Sequence, residues 1–333
     1  MPTLPSPFGR APSRAVDSFR RDRLQSIAPL PKRYAALQTL RDWLRYAVSR
    51  FNRAGLVFGH GTDNAYDEAA YLLLHTLHLP PDLLDPFLDA HLLESECEAI
   101  REVIERRINE RLPAPYLTGE AWLRGRRFHV DTNVIIPRSP IAELLDEGLA
   151  PSISDPYAVE RVLDMCTGSG CLAILAAQAF PLAEVVGVDA SDAALGVAAR
   201  NIAEYGLEDR ITLYKSDLFN DLPEQTFDLI ICNPPYVNAR SMAQLPPEYQ
   251  HEPAMALHGG DDGMDLVRRI IADAPRYLSE DGILILEIGH ERPYFEAAFP
   301  ELSPLWLETA GTTDSVMLLH RSELIQATHG NHE

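Results

Sequence analysis

In the N-terminal third of the chain, apolar residues recur at helical spacing. Leu37, Leu40, Leu44, Val48 and Phe51 fall on one face of a helix, and Gly55, Gly59 and Gly61 break the pattern across 52–64. A second helix is predicted over 65–78, stopped by Pro80-Pro81, and a third over 94–111. These predict a small helical domain over 34–112, its apolar stripes forming its own core.

The period then changes. Residues 122–130 read as a β-hairpin turning near Gly125, and 133–136 as a short strand ending before Pro137. This makes 113–140 a hairpin linker. From about 158, short apolar runs alternate with helical patterns: strands over 162–165, 184–188, 211–214, 227–232 and 283–288, helices over 172–180, 193–205 and 264–277. The alternation predicts an α/β domain over 141–325, a doubly wound parallel sheet with helices on both faces. Residues 306–308 and 316–320 form a hairpin around Gly311, so the last strand should run antiparallel to the rest.

Charge narrows the partners. The 333 residues carry a formal net charge of −20, from 29 Lys and Arg against 49 Asp and Glu. That balance argues against a broad basic face for nucleic acid, and no direct nucleic-acid binding is expected. An acidic surface suits a basic partner, or solubility alone. The first 33 residues depart from the trend. Arg10, Arg14, Arg20, Arg21, Arg23, Lys32 and Arg33 stand against Asp17 and Asp22, among six prolines. They predict a disordered tail, although transit peptides and sequence read from an upstream start share this composition. No apolar run reaches the roughly 18 residues of a membrane span, and no signal-peptide core is expected. The four cysteines (Cys97, Cys166, Cys171 and Cys232) form no CxxC pair, which fits buried thiols in the cytoplasm. No histidine group has zinc-ligand spacing, so no metal is assigned. Oligomeric state is not legible.

The chemistry concentrates at two strand ends. Asp164-Met165-Cys166-Thr167-Gly168-Ser169-Gly170-Cys171-Leu172-Ala173 carries G-x-G-x-x-A, and Asp189 closes the next strand. Glycines let the backbone turn tightly against a ligand, and a carboxylate there can accept ribose hydroxyls. That much fits any nucleoside binder, a dinucleotide dehydrogenase included. Asp164 can face a cation, and Asp217, after Ser216, can accept from an adenine amine. An acidic pocket suits the sulfonium and ammonium of S-adenosylmethionine better than a pyrophosphate.

The fourth strand runs into Asn233-Pro234-Pro235-Tyr236. Ligands of parallel sheets sit beyond the carboxyl ends of the strands. An amide nitrogen attacks poorly because its lone pair is delocalised. The Asn233 side-chain oxygen and the Pro234 carbonyl can each accept one N–H, and Tyr236 can press an aromatic face on the substrate plane. Catalysis then rests on positioning and electrostatics.

The loop of Asp164 to Gly170 followed by Asn233-Pro234-Pro235-Tyr236 resembles the class I methyltransferases with an NPPY motif. Within them, Glu252-Pro253-Ala254-Met255-Ala256-Leu257-His258-Gly259-Gly260-Asp261-Asp262-Gly263 is similar to the protein glutamine N5-methyltransferases of the HemK type. One branch of that family modifies release factors. The other, the PrmB branch, modifies a glutamine of large-subunit ribosomal protein three. Trp43 with 47–51, Phe58 to Asn64, Ile136-Pro137-Arg138-Ser139-Pro140 and Glu248 to Pro253 resemble the ribosomal branch. The likeness implies S-adenosyl-L-methionine against Asp164, Gly168, Gly170, Asp189, Asp217 and Asn233. It implies a glutamine held by Asn233, Pro234, Pro235 and Tyr236, with Arg138 shaping the substrate side or forming a structural salt bridge. The stretch 238–262 reads as a substrate lid, and the helical domain as the part that selects the substrate protein. A release-factor enzyme, a DNA or RNA adenine amino-methyltransferase and a non-catalytic S-adenosylmethionine sensor remain as alternatives.

Overall fold

The computed structural model describes residues 34–330, so the expected tail over 1–33 lies outside the described residues. Three helices open the chain: α1 (Leu40–Ala54), α2 (Ala65–Thr76) and α3 (Glu94–Asn109). Thr39 caps α1 by accepting the Asp42 N–H, and Asp42 returns the bond to the Thr39 N–H. Gly55, with φ 60°, ends it. The helix thus runs to Ala54, past the break expected from residue 52. Leu40, Trp43, Leu44, Ala47 and Phe51 form its buried stripe, while Val48 is half-buried. Asn64 caps α2 through two backbone N–H groups. On α3 the buried stripe is Cys97, Ile100, Ile104 and Arg107, so a guanidinium occupies a core position. A short α4 (Ala114–Thr118) closes this cluster.

The expected hairpin is β1 (Glu120–Leu123) and β2 (Arg126–His129). Arg124 and Gly125 both take left-handed φ, 51° and 73°, as a tight two-residue hairpin turn requires. The strand expected over 133–136 does not form. Val134 donates back to Asp131, and the Ile136 N–H goes to a carboxylate of Glu252 rather than to a neighbouring strand.

The rest is one sheet of β3 (Arg161–Met165), β4 (Glu184–Asp189), β5 (Ile211–Lys215), β6 (Phe227–Cys232), β7 (Leu278–Glu287), β8 (Leu305–Trp306) and β9 (Val316–His320). Their order is β5-β4-β3-β6-β7-β9-β8. The first five in that order pair in parallel, and β9 runs antiparallel to β7. The apolar run in β6 is explained by burial on both faces. Leu229 and Ile231 enter one core, Ile230 and Cys232 the other. Each such side chain contributes about 1.5–3 kcal/mol on burial. Helices α5 (Ile141–Asp146), α6 (Cys171–Ala179), α7 (Asp192–Glu204), α8 (Ala239–Met242), α9 (Asp265–Tyr277), α10 (Arg292–Ala298) and α11 (Arg321–Gly330) complete the chain. No helix among the described residues is long and apolar enough to cross a membrane.

Candidate active site

The first half of the site forms where β3 gives way to α6. Cys166, Gly168 and Gly170 take left-handed φ of 61°, 54° and 77°, turning the chain sharply between strand and helix. Asp164 holds this loop from inside. Its Oδ2 accepts from Thr167 Oγ1 at 2.5 Å and from the Ala173 N–H at 2.9 Å. Its Oδ1 is buried without a partner among the described residues, and burial pushes the carboxyl up to about 7. Asp189, at the end of β4, accepts the Gly168 N–H and the Ser191 N–H, each at 2.9 Å. Gly170 serves packing: a Cβ there would stand 3.1 Å from that of Ala198 on α7. Asn201 of α7 accepts the His129 N–H and donates to the Ser169 carbonyl, tying the hairpin to the same loop.

A cavity of about 250 Å³ opens over these strand ends. It brings together Gly168, Asp189, Asp217, Asn233 and Pro235. Asp164, Gly170, Pro234, Tyr236 and Arg138 are not in its wall. The Asp217 carboxylate is exposed and pairs with Arg269 of α9 at 2.8 Å. Residues that the sequence did not mark complete the wall: Asn133, Val134 and Ile135 from the linker, Leu218 after β5, and Met255-Ala256 from the loop after β6.

The second half of the site is the segment after β6. Pro234 and Pro235 are buried, and Asn233 is half-buried. Among the described residues no hydrogen bond engages the Asn233 side chain. The backbone beyond it is clamped: the Val237 N–H donates to the Leu257 carbonyl at 2.8 Å, and the Gly259 N–H to the Val237 carbonyl at 3.0 Å. A Cβ on Gly259 would fall 2.7 Å from Tyr236 Cα, and one on Gly263 would fall 2.2 Å from the Tyr236 carbonyl oxygen. These glycines are needed because the loop lies directly on Asn233-Pro234-Pro235-Tyr236. The Tyr236 hydroxyl donates to Glu287 Oε1 at 2.9 Å.

Arg138 lies outside the cavity and meets Glu252 with both terminal guanidinium nitrogens, at 2.5 and 2.8 Å. Glu252 also accepts the Ile136 N–H at 2.9 Å. Burial alone would raise its pKa, but His60, Arg138 and that N–H hold it down to about 2. Glu248, fully buried, reaches the other way, to the Val57 N–H at 3.1 Å, Arg107 at 3.4 Å and Arg111 at 3.3 Å. Residues 238–262 are therefore fastened both to the linker and to the helical cluster.

The strand order with its antiparallel β9, the glycine loop joined to Asp189, and Asn233-Pro234-Pro235-Tyr236 beyond β6 define a class I methyltransferase. A family model described as the methyltransferase small domain matches residues 143–245. The chain is 68% identical over 288 residues to a ribosomal protein uL3 glutamine methyltransferase of Bordetella pertussis, covering 86% of this chain and 97% of that relative. The protein of the same description from Burkholderia pseudomallei is 60% identical, covering 86% and 96%. That from Neisseria meningitidis serogroup A is 56% identical, covering 87% and 95%. This chain belongs to the family of ribosomal protein uL3 glutamine methyltransferases.

Proposed function

We propose that this protein moves a methyl group from S-adenosylmethionine to the side-chain amide nitrogen (N5) of a glutamine in ribosomal protein uL3, in the cytoplasm. The observation that carries this reading is the shared cavity. Asn233, with its side-chain amide unengaged, lines the same space as Gly168 and Asp189.

The residues present fit the donor. Asp189 is oriented by two backbone N–H groups and keeps lone pairs for ribose hydroxyls. Gly168 carries no Cβ between backbone and ligand. Leu218 and Leu266 offer apolar walls, and Asp217, after the edge strand β5, lines the same cavity beyond Asp189. The unpartnered Asp164 Oδ1 leaves a free acceptor behind the loop, and a cationic ligand nearby would favour the ionised form of that carboxyl. When bound, S-adenosylmethionine supplies an electrophilic methyl group.

The chain's own residues prepare the acceptor. Asn233 Oδ1 and the Pro234 carbonyl accept the two amide N–H groups, which turns the nitrogen lone pair toward the donor. The Pro234 ring fixes the backbone that presents this carbonyl. The Tyr236 ring packs on the amide plane. Once the N–C bond has formed, the nitrogen is strongly acidic and loses its proton to water, so no strong base is needed. Mass spectrometry of uL3 incubated with enzyme and donor tests this. One methyl on one glutamine side chain is expected. A methyl on another residue type, or none, rejects the reading.

A further inference from the structure

Glu287 closes β7 directly after the buried apolar run Ile283 to Leu286. It is 4% exposed, and among the described residues no Lys or Arg pairs with it. A carboxylate in such a place is unfavourable unless hydrogen bonds compensate it. Two do: the Tyr236 hydroxyl donates to Oε1 at 2.9 Å, and Ser139 Oγ donates to Oε2 at 2.5 Å. The turn that follows makes room for the same tyrosine. Gly289 has φ 55°, and a Cβ there would stand 2.5 Å from Tyr236 Cε2. Register explains the meeting. Leu286 pairs with Cys232, so Glu287 stands level with the start of Asn233-Pro234-Pro235-Tyr236.

A neutral amide oxygen could also accept the hydroxyl, though more weakly. What the carboxylate adds is charge. A phenol that donates to an anion is polarised, with more electron density on its ring. During transfer the N–C bond forms as the donor's S–C bond breaks, and the amide nitrogen carries positive charge until its proton leaves for water. An electron-rich ring face attracts that charge. Resting on the amide-acceptor reading above, we infer that Glu287 is a positioning residue for methyl transfer, acting through the hydroxyl of Tyr236.

The groups that face Glu287 are few. Tyr236 and Cys232 come from the end of β6 and just beyond it, and Ser139 and Arg138 from the linker; Glu252, from the loop, faces Tyr236 and Arg138. Arg138 is already occupied by Glu252, and burial keeps the Cys232 thiol neutral. β9 contributes Val316, which does not titrate. Burial raises the Glu287 carboxyl to about 7. The ionised form is the active one, so turnover falls as pH drops through that region.

The test compares kcat, KM and their pH profiles for the wild type, Glu287→Gln, Ser139→Ala, Tyr236→Phe and the Glu287→Gln/Tyr236→Phe double variant. All are measured on whichever acceptor the wild type methylates. A wild type that ignores uL3 but methylates another acceptor defeats the substrate assignment and leaves these ratios intact. Glu287→Gln is expected to lose roughly tenfold in kcat with little change in KM. It should also lose the Glu287 part of the acid limb, leaving only what the buried Asp164 carboxyl contributes. Ser139→Ala removes a donor to the charged form and should move the limb to higher pH. In the Tyr236→Phe background, Glu287→Gln should add little. Infrared spectra of the protein without ligands give a readout independent of turnover: two buried carboxylic-acid contributions, from Glu287 and Asp164, should grow in below about pH 7 in the wild type, and Glu287→Gln should lose one and keep the other. Full kcat with an unchanged acid limb in Glu287→Gln, or a loss that adds fully to that of Tyr236→Phe, overturns the proposal. Should Glu287→Gln not fold, an unshifted limb in Ser139→Ala overturns it alone.

Discussion

At the acceptor end of the site, Asn233 and Tyr236 are held in opposite ways. Asn233 has an unengaged side chain on a rigid backbone, while Tyr236 is tied at its hydroxyl and boxed by Gly289. Replacing Asn233 with Ala should therefore remove an interaction made with the reacting amide. A fall in kcat of about 10²–10³ is expected, with donor affinity by calorimetry nearly unchanged; unchanged turnover contradicts the role. Glu287 gives a second prediction at this scale. Its folded pKa is raised above the ordinary value of 4.5 to about 7, so its ionisation opposes folding as pH rises between those values. The variant Glu287→Gln should melt at or above the wild type at pH 8, and the difference should shrink toward pH 5. A variant that melts well below the wild type at pH 8 would show that the charge stabilises. Asn233 was legible because a polar residue before two prolines at a strand end has no structural need to be there. Glu287 was less so. Its one signal is a carboxylate ending an apolar strand, and its partner Ser139 is remote in sequence.

Among the elements, the segment 238–262 changed most between sequence and structure. Its length suggested a lid, and its role in substrate binding rests on the proposed function. Its physical character is that of a strap, since Glu248 and Glu252 are buried at opposite anchor points. Sequence alone could not give these pairings, because Arg107, Val57, Ile136 and Arg138 lie in three other segments. Arg107 itself was hidden in an apolar stripe. Changing Arg107 to Met leaves Glu68 and Glu248 as buried carboxylates with their main counter-charge removed. A loss of about 3–5 kcal/mol is expected from urea unfolding; a loss within about 0.5 kcal/mol would mean the pair is not stabilising. The other anchor has a pH signature. The Glu252 pKa is depressed from 4.5 to about 2, so its contribution is complete above the higher value and is lost as pH falls toward the lower. Limited proteolysis should cut within 238–262 faster at pH 3 than at pH 6, and Glu252→Gln should remove that difference. Elsewhere the two-period reading of apolar residues found the sheet strands, because burial on both faces leaves unmistakable runs. It overread 133–136, where Val134 and Ile136 are buried in a turn. It missed α4, α5, α8, α10 and α11, which are short or lack a strong apolar stripe.

For the whole molecule, the helical cluster and the sheet domain are joined by more than the linker. Arg107 and the Val57 N–H both reach Glu248, and Glu248 shares its loop with Met255 and Ala256 at the cavity. Removing the helices would unpair that carboxylate, so truncation mixes substrate selection with the integrity of the site. The acidic balance of −20 suits a basic acceptor such as a ribosomal protein and disfavours DNA. The glycine loop and the Asn233 segment said that a conjugated nitrogen is methylated; which nitrogen is a question the whole surface answers. The direct measurement offers the intact enzyme uL3, a release factor and DNA together, with labelled S-adenosylmethionine. Label on a glutamine of uL3, and none on the other two, is the predicted result. Label on the release factor or on DNA while uL3 stays unlabelled would contradict it.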